Sequence, residues 1–243
     1  MLQAETTLPI LMYHSISDMP RQVTAQNFES QIVYLVDNGF TFLFPEEIGH
    51  SYRYERPVII TFDDGFRDNH DVAFPILREH NVKATIFMIT YRIGDEDFLT
   101  AEQIRSLEAS GLVRVEPHSH FHSIFTGIEL EEVEWQIETS NAILQEITGR
   151  VPRVFAYPFG EFNDDVKQIA AQHYDIAFAV DNGYKHDVMA LYRSSVFNSM
   201  LRFRIAVAPF GQVISIIALC MILSTASLVA IIVQVRKGYS GPD

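Results

Sequence analysis

The chain has 243 residues, 48% hydrophobic and 20% charged, with a net charge of −13. That is enough apolar content for one substantial core, and the acidic balance disfavours nucleic acid and anionic surfaces as partners. The single cysteine, Cys220, excludes an intrachain disulfide and a cysteine metal site. At the amino terminus, Met1-Leu2-Gln3-Ala4-Glu5 lacks the basic start and separate apolar core of a signal peptide. A first strand is predicted at Leu8–Met12, then a helix over Ala25–Asn38, capped by Thr24 and closed by Gly39. Apolar runs predict strands at Thr41–Phe44, Val58–Phe62, Ala84–Ile89, Leu112–Val115, Val154–Tyr157 and Ile176–Val180, with a weaker one at Tyr192–Phe197. Between them, Thr100 and Gln103 make a capping box for a helix over Ala101–Ser110. A long helix is predicted over Glu129–Thr148, closed by Gly149, and another over Asp164–His173, capped by Asn163.

These strands are continuous apolar runs, as in parallel strands buried on both faces. Their alternation with helices argues for an α/β fold, and seven or eight units suit a TIM-like (β/α) barrel over residues 1–199. A juxtamembrane segment would follow at 200–210. From Ile205 to Val235 no residue is charged. Residues 211–235 exceed the about 20 needed to cross a hydrocarbon core, so one transmembrane helix and contact with a lipid bilayer are expected. A short tail, 236–243, would close the chain. The flanking charges, Arg202 and Arg204 against the nearer pair Arg236 and Lys237, favour an outward-facing barrel. The missing leader favours the rival, a cytoplasmic barrel working on a lipid-linked precursor.

Chemistry gathers where strands end. Val58-Ile59-Ile60-Thr61-Phe62 delivers two adjacent carboxylates, Asp63 and Asp64, into a turn at Gly65. A later strand delivers His118 and His122, four apart and thus on one face if they sit on a helical turn. One carboxylate and two imidazoles can hold a divalent metal with open positions. The spare carboxylate is then free to act as base on a metal-bound water. His120 is expected to point away. His14 and Tyr13 follow the first strand, and Pro158, Phe159 and Gly160 follow another, so all these segments would meet at one end of a barrel.

Three segments in order, Thr61-Phe62-Asp63-Asp64-Gly65, His118-Ser119-x-x-His122 and Phe155-Ala156-Tyr157-Pro158-Phe159-Gly160, resemble the successive motifs of the polysaccharide deacetylases, the NodB-type homology family. The opening Pro9-Ile10-Leu11-Met12-Tyr13-His14 is similar to many members as well. The resemblance implies a distorted (β/α) barrel that removes N-acetyl groups from an amino-sugar glycan with one divalent metal, Zn2+ or alternatively Co2+ or Ni2+. Carried over by position, it makes Asp63 the general base, Asp64, His118 and His122 the metal ligands, and Phe159 a backbone oxyanion donor. The aromatics Tyr13, Phe66, Phe121, Tyr157 and Phe159, together with Pro158, are candidates to line a sugar groove.

The chain departs from the family pattern twice. Ala156 stands where many members carry the arginine that orients the base, as in a branch that includes the poly-N-acetylglucosamine deacetylases. No late Leu-x-x-His segment supplies a general acid; His173 and His186 are elsewhere, and His14 is the alternative. Two other readings therefore accompany the deacetylase one: a deformylase or deacetylase of a lipid-linked sugar, and a catalytically weak, membrane-anchored glycan-binding domain.

Overall fold

Nine strands and six helices alternate along the residues that the computed structural model describes, 8–180 and 187–208. In chain order they are β1 (Ile10–Tyr13), α1 (Ala25–Asp37), β2 (Thr41–Phe42), β3 (Pro57–Phe62), α2 (Phe74–Glu79), β4 (Ala84–Met88), α3 (Ala101–Ala109), β5 (Val113–Pro117), α4 (Leu130–Thr148), β6 (Val154–Ala156), α5 (Asp164–His173), β7 (Ile176–Ala179), β8 (Leu191–Tyr192), β9 (Ser194–Ser195) and α6 (Met200–Val207). The capping chemistry holds as read. Thr24 and Asn163 accept N–H bonds at their helix starts, Thr100 and Gln103 form the reciprocal box, and Gly149 ends α4 in the left-handed region. The sequence signals missed the 3-10 turns over Pro45–Arg53 and the π turn Asn69–Ala73 that feeds α2.

Every strand pair is parallel. One sheet has the order β5-β4-β3-β1-β9, with β2 beside the start of β3; the other is β6-β7-β8. All residues of β1, β3 and β4 are buried, which explains their unbroken apolar runs. The expected seven- or eight-stranded barrel therefore takes the form of two parallel sheets that share a core. Ile10, Ile59 and Phe87 from the first sheet pack with Val154, Ala156, Phe178 and Leu191 from the second. Burying each of the larger side chains contributes about 2 kcal/mol. A second cluster, including Phe125, Ile137, Phe155, Val166 and Tyr174, joins the smaller sheet to α4 and α5.

The sheets meet at two seams. Between β5 and β6 a side chain replaces the backbone ladder. Buried Glu116 accepts the N–H groups of Arg153 (3.1 Å) and Val154 (3.2 Å) through Oε2, while its Oε1 takes Arg150 Nη1 at 2.6 Å. Burial pushes this carboxyl up to about 7 against the pull of Arg150. Arg150 also reaches Glu108, so the seam is tied to α3. At the second seam the chain passes from β8 to β9 through one residue, Arg193, splitting the run expected to be a single strand over Tyr192–Phe197.

The expected domain boundary after residue 199 falls at the start of α6. Phe203 of that helix is buried, with its ring edge-on to Tyr34 of α1 at 6.1 Å. Among the described residues no helix is long and apolar enough to cross a membrane. The expected transmembrane segment 211–235, the tail 236–243, His186 and the first seven residues lie outside the described residues.

Candidate active site

The C-terminal ends of β1, β3, β5 and β6 bring the predicted residues together. The Asp63 N–H bonds to Tyr13 O at 2.9 Å, which extends the β1–β3 pairing to the site's edge. The chain then turns through Asp64 (φ 71) and Gly65 (φ 78). A Cβ on Gly65 would crowd the Met88 sulfur, and the left-handed φ there favours glycine. Asp64, Ser119 (φ 64), His122 (φ 59) and Phe159 (φ 59) are four of the six non-glycine residues with positive φ among the described residues, so backbone strain concentrates at this site. Gly160, also left-handed, lies against Val180 just after β7, where a Cβ would come 2.5 Å from Val180 N.

His118 and His122 converge, but not on a helical turn as their spacing suggested. Residues 118–124 are irregular. Two left-handed residues and a bond from His122 N–H to the buried Ser119 hydroxyl (2.9 Å) fold the loop so that both rings face the same point. Their Nε2 atoms are 3.2 Å apart, and Asp64 Oδ1 lies 3.8 Å from one and 3.6 Å from the other. These three residues offer one ligand atom each within 4.8 Å. His118 Nδ1 donates to Ala156 O at 2.7 Å, across the seam, which leaves Nε2 as the lone-pair atom facing the cluster. Burial holds His118 down to about 3 and also lowers His122, so both rings stay neutral. Burial and the neighbouring Asp63 charge push Asp64 up to about 6. Neutral imidazoles and a carboxylate short of positive charge are the donor set a divalent cation would relieve.

Asp63 is different. Although burial alone would raise it, Arg193 pulls its carboxyl down to about 2. The guanidinium is fully buried and grips both oxygens, Nη1 to Oδ1 at 2.5 Å and Nη2 to Oδ2 at 2.7 Å. It lies over the rings of Phe87 and Phe178 and also bonds Thr61 Oγ1 at 3.3 Å. Asp63 Oδ2 is 3.9 Å from His118 Nε2, so the held carboxylate borders the donor cluster.

The other candidates divide by exposure. His14 is half-buried, and its carbonyl accepts from Asn69 Nδ2 at 2.8 Å. The Phe159 ring is exposed and lies 4.4 Å from the His122 ring. Tyr13, Tyr157 and Pro158 are buried. The Tyr13 hydroxyl bonds Gln31 between Phe28 and Phe62, and the Tyr157 hydroxyl bonds Met189 O. The expectation that these three line a groove is corrected: they are core side chains. Phe66 stacks on Phe98, and of the five expected groove aromatics only Phe121 and Phe159 are exposed.

A family model described as polysaccharide deacetylase matches residues 51–174, half of the chain. The chain belongs to the polysaccharide deacetylase family. The Bacillus subtilis protein YxkH, named for the same family, is 34% identical over 169 residues, which is 67% of this chain and 60% of that protein. The poly-β-1,6-N-acetyl-D-glucosamine N-deacetylase of Staphylococcus epidermidis is 32% identical over 161 residues, 59% of this chain and 55% of that one. The chain spans about three-fifths or less of the length of these curated relatives. Among solved structures, the Streptococcus pyogenes deacetylase PplD in complex with acetate superposes with a TM-score of 0.75 at 28% identity, over 79% of this chain and 93% of that one.

In this polysaccharide deacetylase family member, the arginine missing at Ala156 has a counterpart in space. Arg193, entering from the β8–β9 seam, makes the contact to the first aspartate that the family pattern expects of residue 156. Sequence reasoning missed it. The one signal was a lone basic residue inside a weak strand with no acid near it in sequence.

Proposed function

We propose that this chain hydrolyses the N-acetyl group of an amino-sugar glycan, with polymers of N-acetylglucosamine as the substrate class. The observation that carries this reading is the three-donor cluster of Asp64, His118 and His122 beside a second carboxylate, Asp63, that Arg193 keeps ionised. The donor types suit zinc, with cobalt or nickel as alternatives. A divalent cation held there would supply Lewis-acid polarisation of the acetamide carbonyl.

The protein's own groups supply the rest. Asp63, ionised and fixed in one orientation, takes the proton of the attacking water. Arg193 prevents that carboxylate from rotating and offsets its burial. His118 is aimed by its bond to Ala156 O, so it stays a ligand and does not titrate. Phe159, held left-handed beside His122, offers its backbone N–H to the oxyanion. His14, which follows Tyr13, the residue whose carbonyl accepts the Asp63 N–H, is assigned to protonate the departing amine. The rival reading as a catalytically weak binding domain rested partly on the missing arginine, and the Arg193 fork removes that support. The two sheets are read as a distorted barrel closed at its two seams.

The test is acetate release from N-acetylglucosamine oligomers. Activity is expected to fall to background on chelation and to return with stoichiometric Zn2+. Metal-loaded protein that releases no acetate from any oligomer overturns the reading. Membrane attachment through Gly211–Val235 with an outward catalytic domain belongs to the same proposal, motivated by the uncharged run and its Arg236-Lys237 flank. Protease added to intact cells is expected to trim that domain; protection until lysis would count against the outward orientation.

A further inference from the structure

The loop that carries the two histidines faces two ways. His118 and His122 turn into the donor cluster, while His120 and Phe121 join an aromatic group on the surface. The Phe121 ring is 4.4 Å from the His120 ring, 5.0 Å from Tyr91 and 5.8 Å from Trp135; His120 is 5.8 Å from Tyr91 and 5.5 Å from Trp135. The four rings come from three elements: Tyr91 from the turn after β4, His120 and Phe121 from the ligand loop, and Trp135 from α4. Yet three of them stay open to solvent, with Tyr91 61%, Phe121 45% and Trp135 48% exposed.

This cluster is held in place and is not loose surface. The Tyr91 N–H bonds His120 O at 3.0 Å, Thr90 Oγ1 meets His120 Nδ1 at 2.9 Å, and the Phe121 N–H bonds the buried Gln136 side chain at 3.1 Å. Exposed aromatics that are rigidly supported and unpartnered mark a contact surface. Their faces suit the C–H faces of a pyranose, and the Tyr91 hydroxyl and Trp135 indole N–H suit its hydroxyls. The neighbouring charges argue against an anionic lipid surface as occupant: Glu131, Glu132 and Glu138, all exposed, lie three or four residues from Trp135 on α4. The platform is also continuous with the proposed site through residues 118–122.

We propose that Tyr91, His120, Phe121 and Trp135 form a stacking subsite for another pyranose ring of the glycan whose acetamide enters the Asp64–His118–His122 site. The subsite makes the protein read chain length. This rests on the deacetylase reading, and the experiment separates the two. Trp135 is the only tryptophan in the chain, so its fluorescence reports the platform without reference to turnover. N-acetylglucosamine oligomers from dimer to hexamer are expected to shift or quench its emission, more strongly as length grows. In acetate-release kinetics, Trp135→Ala is expected to reduce the hexamer-to-dimer ratio of kcat/KM about tenfold, the size of a lost aromatic contact. Trp135→Tyr, which keeps a ring, should restore most of it.

Length-dependent quenching together with a collapsed ratio supports the subsite. If acetate is released but Trp135 emission does not respond and the ratio is unchanged, the subsite fails while the deacetylase reading stands. If no oligomer yields acetate, the deacetylase reading fails, and an emission that is also silent overturns the platform with it.

Discussion

Asp63→Asn is expected to bind its divalent cation as the parent does and to lose about a thousandfold in turnover. The two adjacent carboxylates have opposite surroundings. Asp64 lies within 3.8 Å of both histidine Nε2 atoms and has no arginine gripping it, whereas both Asp63 oxygens are occupied by Arg193. Removing the Asp63 charge therefore removes a proton acceptor but leaves the donor cluster whole. Asp64→Asn or His118→Ala should instead lose cation and activity together. Metal content by elemental analysis beside acetate release checks the assignment. If Asp63→Asn lost the cation while Asp64→Asn kept it, the two roles would be exchanged.

Arg193→Ala is expected to destabilise the fold by about 4 kcal/mol, because it leaves the Asp63 carboxylate buried without its partner. It also removes the guanidinium that lies over the Phe87 and Phe178 rings. Turnover should fall in the same variant, since Asp63 then loses both its orientation and its reason to stay ionised. Arg193→Lys separates the contributions. It keeps a positive charge but not the two-pronged fork, so stability should recover further than turnover. Denaturant unfolding with parallel kinetics makes the comparison; parent-like stability in Arg193→Ala would mean that Asp63 is held by other groups.

The aspartate pair and the histidine pair were legible because each is local. Adjacent or near-adjacent residues at the end of an apolar run need no tertiary knowledge to be noticed, and strands buried on both faces announce themselves as unbroken apolar runs. Arg193 was not legible because its meaning lies 130 residues away, in Asp63. The histidine spacing misled about its cause: convergence comes from left-handed Ser119 and His122, a backbone state that side-chain periodicity does not report. Tyr13 and Tyr157 misled for a related reason. An aromatic next to a motif looks like a substrate contact until its hydroxyl is found satisfied inside the core. The platform around Trp135 joins three distant segments, and only His120 and Phe121 among its rings stood out in the sequence.

Glu116 shapes how this scaffold can diverge. A ladder made of peptide groups is indifferent to side-chain identity, so β1, β3 and β4 can exchange one apolar residue for another and remain paired. Between β5 and β6 much of the polar pairing is written into one carboxylate, and exchange there removes its bonds to Arg150, Arg153 and Val154. That position lies two residues before His118, whose own bond to Ala156 crosses the same gap. Drift in the lineage would thus be tolerated more widely within the ladders than at the seams, where Glu116 and Arg193 sit. A descendant that lost Glu116 would be expected to forfeit its cation before it lost its fold.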